Sequence, residues 1–256
     1  MKNENIFIGQ IEDKIRQCEN QYVATNTGFL DTHQQSVARS LQSVRGLMSS
    51  KSAQTKLVFY GGYEDAERTI LMCLPDYETL EDVNPLTVIR VTKTEGGRQL
   101  THRDYLGSLV GLGIKREKIG DILVGDDGAD VIVLQEIADF ILLNYGKAGR
   151  TYLSVSQVDI SQLKIPETRK ITATDTVASL RLDNIVSSAF GMSRSKAVEA
   201  VKGGLVFVNH MEMSKIDYQV KEGDSIVLRH KGKVNLIETG GTSRKGRLYV
   251  TYEKFQ

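Results

Sequence analysis

The stretch from Arg181 to Asn209 limits what this chain can become more than any other part of it. Leu182, Ile185, Val186 and Ala189 repeat at helical spacing behind Asp175-Thr176. Gly191 supplies a residue able to close that helix in a left-handed conformation. Ser193 is a good N-cap for a second helix that turns Ala197, Ala200 and Val201 inward. Arg194, Ser195 and Lys196 therefore fall in its first turn, where free backbone N–H groups and the positive dipole end favour an anion. Gly203-Gly204 ends this helix, Leu205 to Val208 reads as a strand, and Asn209-His210 reads as a turn. A Gly223-Asp224 turn then leads into a strand at Ser225 to Leu228. Two cations and a hydroxyl at a helix start suit phosphates, so the segment points to a folded RNA backbone rather than to a small-molecule substrate.

The distribution of charge agrees. The whole chain of 256 residues carries a net charge of +1. Residues 181–256 hold 13 Lys and Arg against 8 Asp and Glu, a surplus of five. The rest holds 20 against 24, so the basic excess lies where the phosphate-binding pattern lies.

The Arg-Leu-Asp start, the Ser-Arg-Ser-Lys step, the strand ending in Asn209 and the Gly-Asp-x-Ile strand occur in the order that resembles the S-four (alpha-L) RNA-binding domain, over Arg181 to about Arg229. The resemblance implies that Ser193, Arg194, Ser195 and Lys196 hold rRNA or tRNA phosphates, with Arg181, Lys202, Asn209 and Lys215 around them. His210 departs from the pattern, since the family usually has Gly after Asn; there it reads as a solvated turn residue or a stacking surface for a base.

Three prolines punctuate the chain. Pro75 and Pro85 bracket an acidic stretch, and Pro166 lies in a second linker-like run. Three units follow: 1–75, an N-terminal α+β domain; 83–163, a central domain; and 170–256, the alpha-L domain with further C-terminal strands. The first has helical patterns near Ile6–Val23 and His33–Val44, with Asp31 or Thr32 as cap, and strands at Leu57–Tyr60 and Thr69–Cys73. The second reads β-α-β-β-α-β, from strand Leu86–Val91 to strand Thr151–Val155, the split pattern of ferredoxin-like and RRM-like folds. It lacks the aromatic consensus of a standard RNA-recognition motif, so base stacking on its sheet does not follow from the fold. The overall class is α+β.

Two further basic groups extend the candidate footprint. Arg244 and Lys245 sit in a Gly-rich hairpin at Gly240 to Arg247 that can lie along phosphates or be an ordinary mobile turn. Arg98, His102, Arg103, Lys115, Arg116 and Lys118 form a local cluster in the central unit and are read as a second RNA contact.

Signatures of catalysis are weak. No phosphate-cradling G-x-x-x-x-G-K-[ST] run and no complete dinucleotide fingerprint occur. The four His and two Cys show no metal-ligand spacing, and Asp126, Asp127 and Asp130 lack the downstream Glu of a calcium loop. No cofactor or metal is expected. An RNA-modifying enzyme, such as a pseudouridine synthase with an alpha-L domain, would need a carboxylate like Asp104 in a nucleotide-sized pocket. Isolated cysteines, no signal-peptide pattern and no long apolar run predict a cytoplasmic protein without membrane insertion. Nothing in the sequence signals an oligomeric state.

Phe29-Leu30-Asp31, Gly61-Gly62-Tyr63 with Glu67-Arg68, and the run Leu100 to Asp121 extend the likeness over nearly the whole chain, which resembles the YlmH family of bacterial alpha-L-domain proteins. That family is associated with cell division in Gram-positive bacteria. Its alpha-L domain is similar to that of heat-shock protein fifteen, which binds large ribosomal subunits carrying a stalled peptidyl-tRNA. The resemblance implies a non-enzymatic RNA-binding protein of the large ribosomal subunit, acting in rescue or quality control. The alternatives are an RNA-modifying enzyme and an adaptor that contacts division proteins.

Overall fold

A computed structural model describes residues 2–49, 54–94, 98–166 and 170–255. The chain forms two compact units, Met1–Pro166 and Glu167–Gln256.

The first unit begins with α1 (Lys2–Gln21), the short strand β1 (Thr25–Asn26), α2 (Thr32–Ser40), α3 (Gln42–Ser49), β2 (Thr55–Tyr60) and β3 (Ile70–Pro75). Asp31 caps α2: its Oδ1 accepts from Gln34 N at 2.8 Å, while Gln34 Oε1 accepts from Asp31 N at 2.9 Å. The single helix expected over 33–44 breaks at Leu41, which is extended (ψ 136°). The Ser40 hydroxyl just before it donates to Val37 O, a local bond that competes with helix continuation. The strands form an antiparallel sheet in the order β1-β3-β2, and Ile11, Ile15, Cys18, Val44, Leu57 and Leu71 pack between sheet and helices.

The same unit continues with β4 (Leu86–Lys93), α4 (His102–Gly111), β5 (Ile119–Val124), β6 (Gly128–Leu134), α5 (Ala138–Asn144), β7 (Lys147–Ala148) and β8 (Thr151–Val158). The sheet order is β5-β6-β4-β8-β7, with every pairing antiparallel. Leaving aside the two-residue β7, the first strand lies between the third and the fourth, and the second lies outside the third. This is the ferredoxin-like arrangement the element order predicts.

Alternation along the strands divides the sheet into two faces. Ile89, Val91, Val131, Val133, Leu153 and Val155 meet Tyr105 and Leu109 of α4 and Ala138 and Ile141 of α5. On the opposite face Leu86, Ile132 and Leu134 pack against Phe29 and against Ile70, Met72 and Leu74 of β3. The segments expected as separate domains thus share a core. The chain after β8 covers more of that face: Arg90 donates to Asp130 at 2.9 and 2.8 Å and to Gln162 O at 2.6 Å, and Lys164 N donates to Asp130 at 2.8 Å.

The second unit runs β9 (Lys170–Val177), α6 (Leu182–Ala189), α7 (Arg194–Lys202), β10 (Val206–Val208), β11 (Met211–Glu212), β12 (Ser225–Leu228), β13 (Gly232–Thr242) and β14 (Leu248–Phe255). One antiparallel sheet orders them β11-β10-β12-β13-β14-β9. Leu182, Ile185, Val186, Ala197 and Val201 from the helices close over Val206, Ile226, Val234, Leu236, Val250 and Tyr252. β9 answers no strand pattern found in the sequence. It pairs with β14 along its whole length, and of its side chains only Val177 is fully buried.

Candidate nucleic-acid interface

Both expected helices are present, starting at Leu182 and Arg194, while Asp175 and Thr176 lie in β9, and one buried carboxylate joins the two helix starts. Asp183 is 1% exposed. Its Oδ1 accepts from Arg181 Nε at 3.0 Å, and its Oδ2 accepts from Arg194 Nε at 3.0 Å. Burial alone would push this carboxyl up; the hydrogen bonds from Arg181 and Arg194 outweigh burial and hold it below the ordinary carboxylate value. Arg181 is raised by the same contact. A guanidinium has five N–H donors, so each arginine keeps donors for a second acceptor after binding Asp183. The Arg194 side chain remains 60% exposed. Two cations are therefore aimed rather than merely near each other.

The rest of the predicted set is placed unevenly. Ser193 accepts from Lys196 N at 3.3 Å and serves as the cap of α7. Ser195 and Lys196 are exposed in the first turn. Tyr218 O accepts from Leu182 N at 2.8 Å and Ile216 O accepts from Asp183 N at 3.2 Å, so the 215–218 turn docks on the start of α6 and carries exposed Lys215 to the same end. Lys202 is exposed at the far end of α7, roughly 12 Å along the axis at 1.5 Å per residue. The Asn209 side chain is committed to the fold: its Nδ2 donates to Asp224 at 2.8 Å, and its Oδ1 accepts from Ser225 N at 2.9 Å. Asn209 (φ 50°) and His210 (φ 65°) form the left-handed two-residue turn between β10 and β11. Arg244 and Lys245 are exposed at the β13–β14 turn. Arg247 Nε donates to Thr176 at 3.1 Å, which fixes that hairpin at the end of β9 leading towards α6.

The six central residues do not form a free basic face. Arg98 Nη2 binds Asp104 at 2.6 Å, Lys118 pairs with Glu136, and Lys115 lies 4.0 Å from Glu117. Arg116 turns inward and donates to Ile119 O and Gly120 O. Burial, then the neighbouring Arg68, lowers its guanidinium to about 10. Burial and Arg116 lower His102 as well. Arg103 is exposed and forms no ion pair among the described residues.

Arg116 belongs to a buried polar junction that sequence reasoning missed. Asp121, 8% exposed, accepts from Tyr63 OH at 2.8 Å, Glu67 N at 2.7 Å and Arg68 N at 3.0 Å. Arg68 in turn donates to Phe29 O at 3.0 Å and Ile119 O at 3.2 Å. Gly120 is required beside it, because an added Cβ would come within 2.6 Å of the Phe29 ring. The signal was present in Gly-Gly-Tyr, Glu-Arg and Gly-Asp, which are now seen to meet; spacing alone could not pair segments more than fifty residues apart.

A family model described as "Putative RNA-binding domain in YlmH" matches residues 82–162, and one described as the S4 domain matches residues 180–226. A solved structure described as "Cell division protein ylmH from Streptococcus pneumoniae" shares 22% identity at a TM-score of 0.49, covering 63% of this chain and 95% of that one. The chain is also 35% identical, over 99% of its own length and 96% of the relative's, to the "Ribosome-associated protein quality control protein P2" of Bacillus subtilis (strain 168). With a relative 35% identical over nearly the full length of both chains, and with the YlmH RNA-binding and S4 domain models both matching, the chain belongs to the YlmH family.

Proposed function

We propose that the protein is a non-enzymatic RNA-binding factor that works on the ribosome, gripping rRNA or tRNA on the large subunit during rescue or quality control of stalled peptidyl-tRNA complexes. The observation that carries this reading is the buried Asp183 holding Arg181 and Arg194 at the mouth of two helices, with Lys196 and Lys215 exposed beside them. Fixed guanidiniums with spare donors at a helix N-terminus suit phosphate oxygens. The name of the Bacillus subtilis relative supports the ribosome as the place of action.

Asp104, the carboxylate a modifying enzyme would need, favours binding over catalysis. It accepts from Arg98 and from Thr101 N and Oγ1, as the third residue of α4 bonding back to the N-cap Thr101. Arg98, then Thr101, hold it down at about 2, and both of its oxygens already accept from these partners, which suits a structural anion at a helix start.

The test is sedimentation of the full chain with purified large subunits, against an Arg194→Ala, Lys196→Ala double variant. Loss of about tenfold or more in affinity is expected, the scale of lost charge-assisted contacts. Equal binding by parent and variant would overturn the assignment.

A further inference from the structure

The central domain's own contact with RNA has no place on the sheet centre, which Phe29 and β3 cover, and in the Arg98–Lys118 group Arg116 turns inward while Arg98 and Lys118 pair with Asp104 and Glu136. One part of the sheet face stays open. Leu153 and Val155 point to the helices, so Tyr152 and Ser154 of β8 point the other way, beside Thr92 of β4. Tyr152 is 65% exposed. Lys147, its cross-strand partner on β7, sets its ammonium over one face of the ring, 5.0 Å from its centre, so that a base would use the other face or displace the ammonium onto its phosphate. Arg150 is exposed in the turn that joins the two strands. From Phe140 to Val158 the chain contains these two cations and no carboxylate.

We propose that the β7–β8 hairpin is a second RNA site, specific for single strands, in which a base stacks on Tyr152 and the adjoining phosphates meet Lys147 and Arg150. An exposed ring on a sheet is a platform every base can use, whereas an ammonium next to it recognises the charge that accompanies each base. A duplex keeps its bases stacked on one another and offers the ring nothing. The inference deepens the binding reading above: it names the surface and the class of RNA that the central domain would take.

Its test uses the full chain and two fluorescein-labelled probes, a twelve-nucleotide oligouridylate and a twelve-base-pair RNA duplex, in anisotropy titrations. Tyr152→Ala should weaken the single strand about tenfold, the scale of one lost base stack, and leave the duplex unchanged. Tyr152→Phe should bind like the parent, because stacking needs the ring and not the hydroxyl. Lys147→Ala should flatten the salt dependence of single-strand binding. Failure of the parent to bind the single strand, or Tyr152→Ala binding it as the parent does, overturns the hairpin site. That outcome is separate from failure of the Arg194→Ala, Lys196→Ala variant to lose large subunits, which concerns the other unit. Circular dichroism of Tyr152→Ala checks its fold, and equal losses on both probes would also overturn the proposal.

Discussion

Arg194 Nη2 lies 2.9 Å from Asp183 Oδ2, so the first turn of one helix is bonded to the first turn of the helix before it. The carboxylate is buried while both of its arginine partners reach solvent. Asp183→Asn keeps the shape and removes the charge. It should cost about 2 kcal/mol, the scale of hydrogen bonds to a charged group, and weaken RNA binding together with stability, because both guanidiniums lose their aim. Urea unfolding and large-subunit binding report the two effects; a variant matching the parent in both would show that the arginines orient themselves.

Acid should act on the carboxylates in opposite directions. Asp183 and Asp104 have lowered folded values, so the stability they contribute is fully present above the ordinary value of 3.8 and is lost as pH falls through the folded value. For Asp104 that window closes at about 2. Asp121 is raised by burial against the pull of its hydrogen bonds, so its contribution grows as pH falls from the folded value towards 3.8. Carboxyl NMR titration should separate Asp121 above and Asp104 below the ordinary range; one common midpoint would contradict these environments.

His210 occupies a left-handed turn position that Gly adopts without steric cost. His210→Gly should stabilise the protein by about 0.5 kcal/mol, the relief of left-handed strain less the added freedom of the unfolded chain. The midpoint of urea unfolding measures it. A destabilised variant would mean that the imidazole's own contacts outweigh the strain.

Two cations of the central unit should part company. Arg116→Ala removes donors to Ile119 O and Gly120 O from a half-buried site and should cost about 1–3 kcal/mol. Arg103→Ala, on an exposed position, should leave stability within about 0.5 kcal/mol. Thermal melts of the two variants decide whether this group divides into a structural and a surface member.

What the sequence disclosed followed from local chemistry. The β-α-β-β-α-β order was readable because apolar alternation and helical spacing change cleanly between Leu86 and Val155. The Ser193 cap and the Arg194–Lys196 turn were readable because capping depends on neighbours in the chain. β9 was not, since its strand identity comes from pairing with β14 and most of its side chains, Lys170, Ile171, Thr172, Thr174 and Asp175, are exposed. The commitment of Asn209 to Asp224 and Ser225, and of Arg116 to backbone carbonyls, depends on partners brought by folding. Side-chain type marked these residues as contact candidates; only geometry shows where their donors are used.

The shared core of Phe29, β3 and the central sheet bears on how the chain can be divided. A fragment starting at residue 82 would keep every strand of the ferredoxin-like fold and expose the apolar strip of Leu86, Ile132 and Leu134 that Ile70, Met72 and Leu74 cover. Such a piece would tend to self-associate through that strip. The N-terminal segment is thus a built-in shield, keeping from solvent an apolar strip that the ferredoxin-like unit does not cover with its own helices.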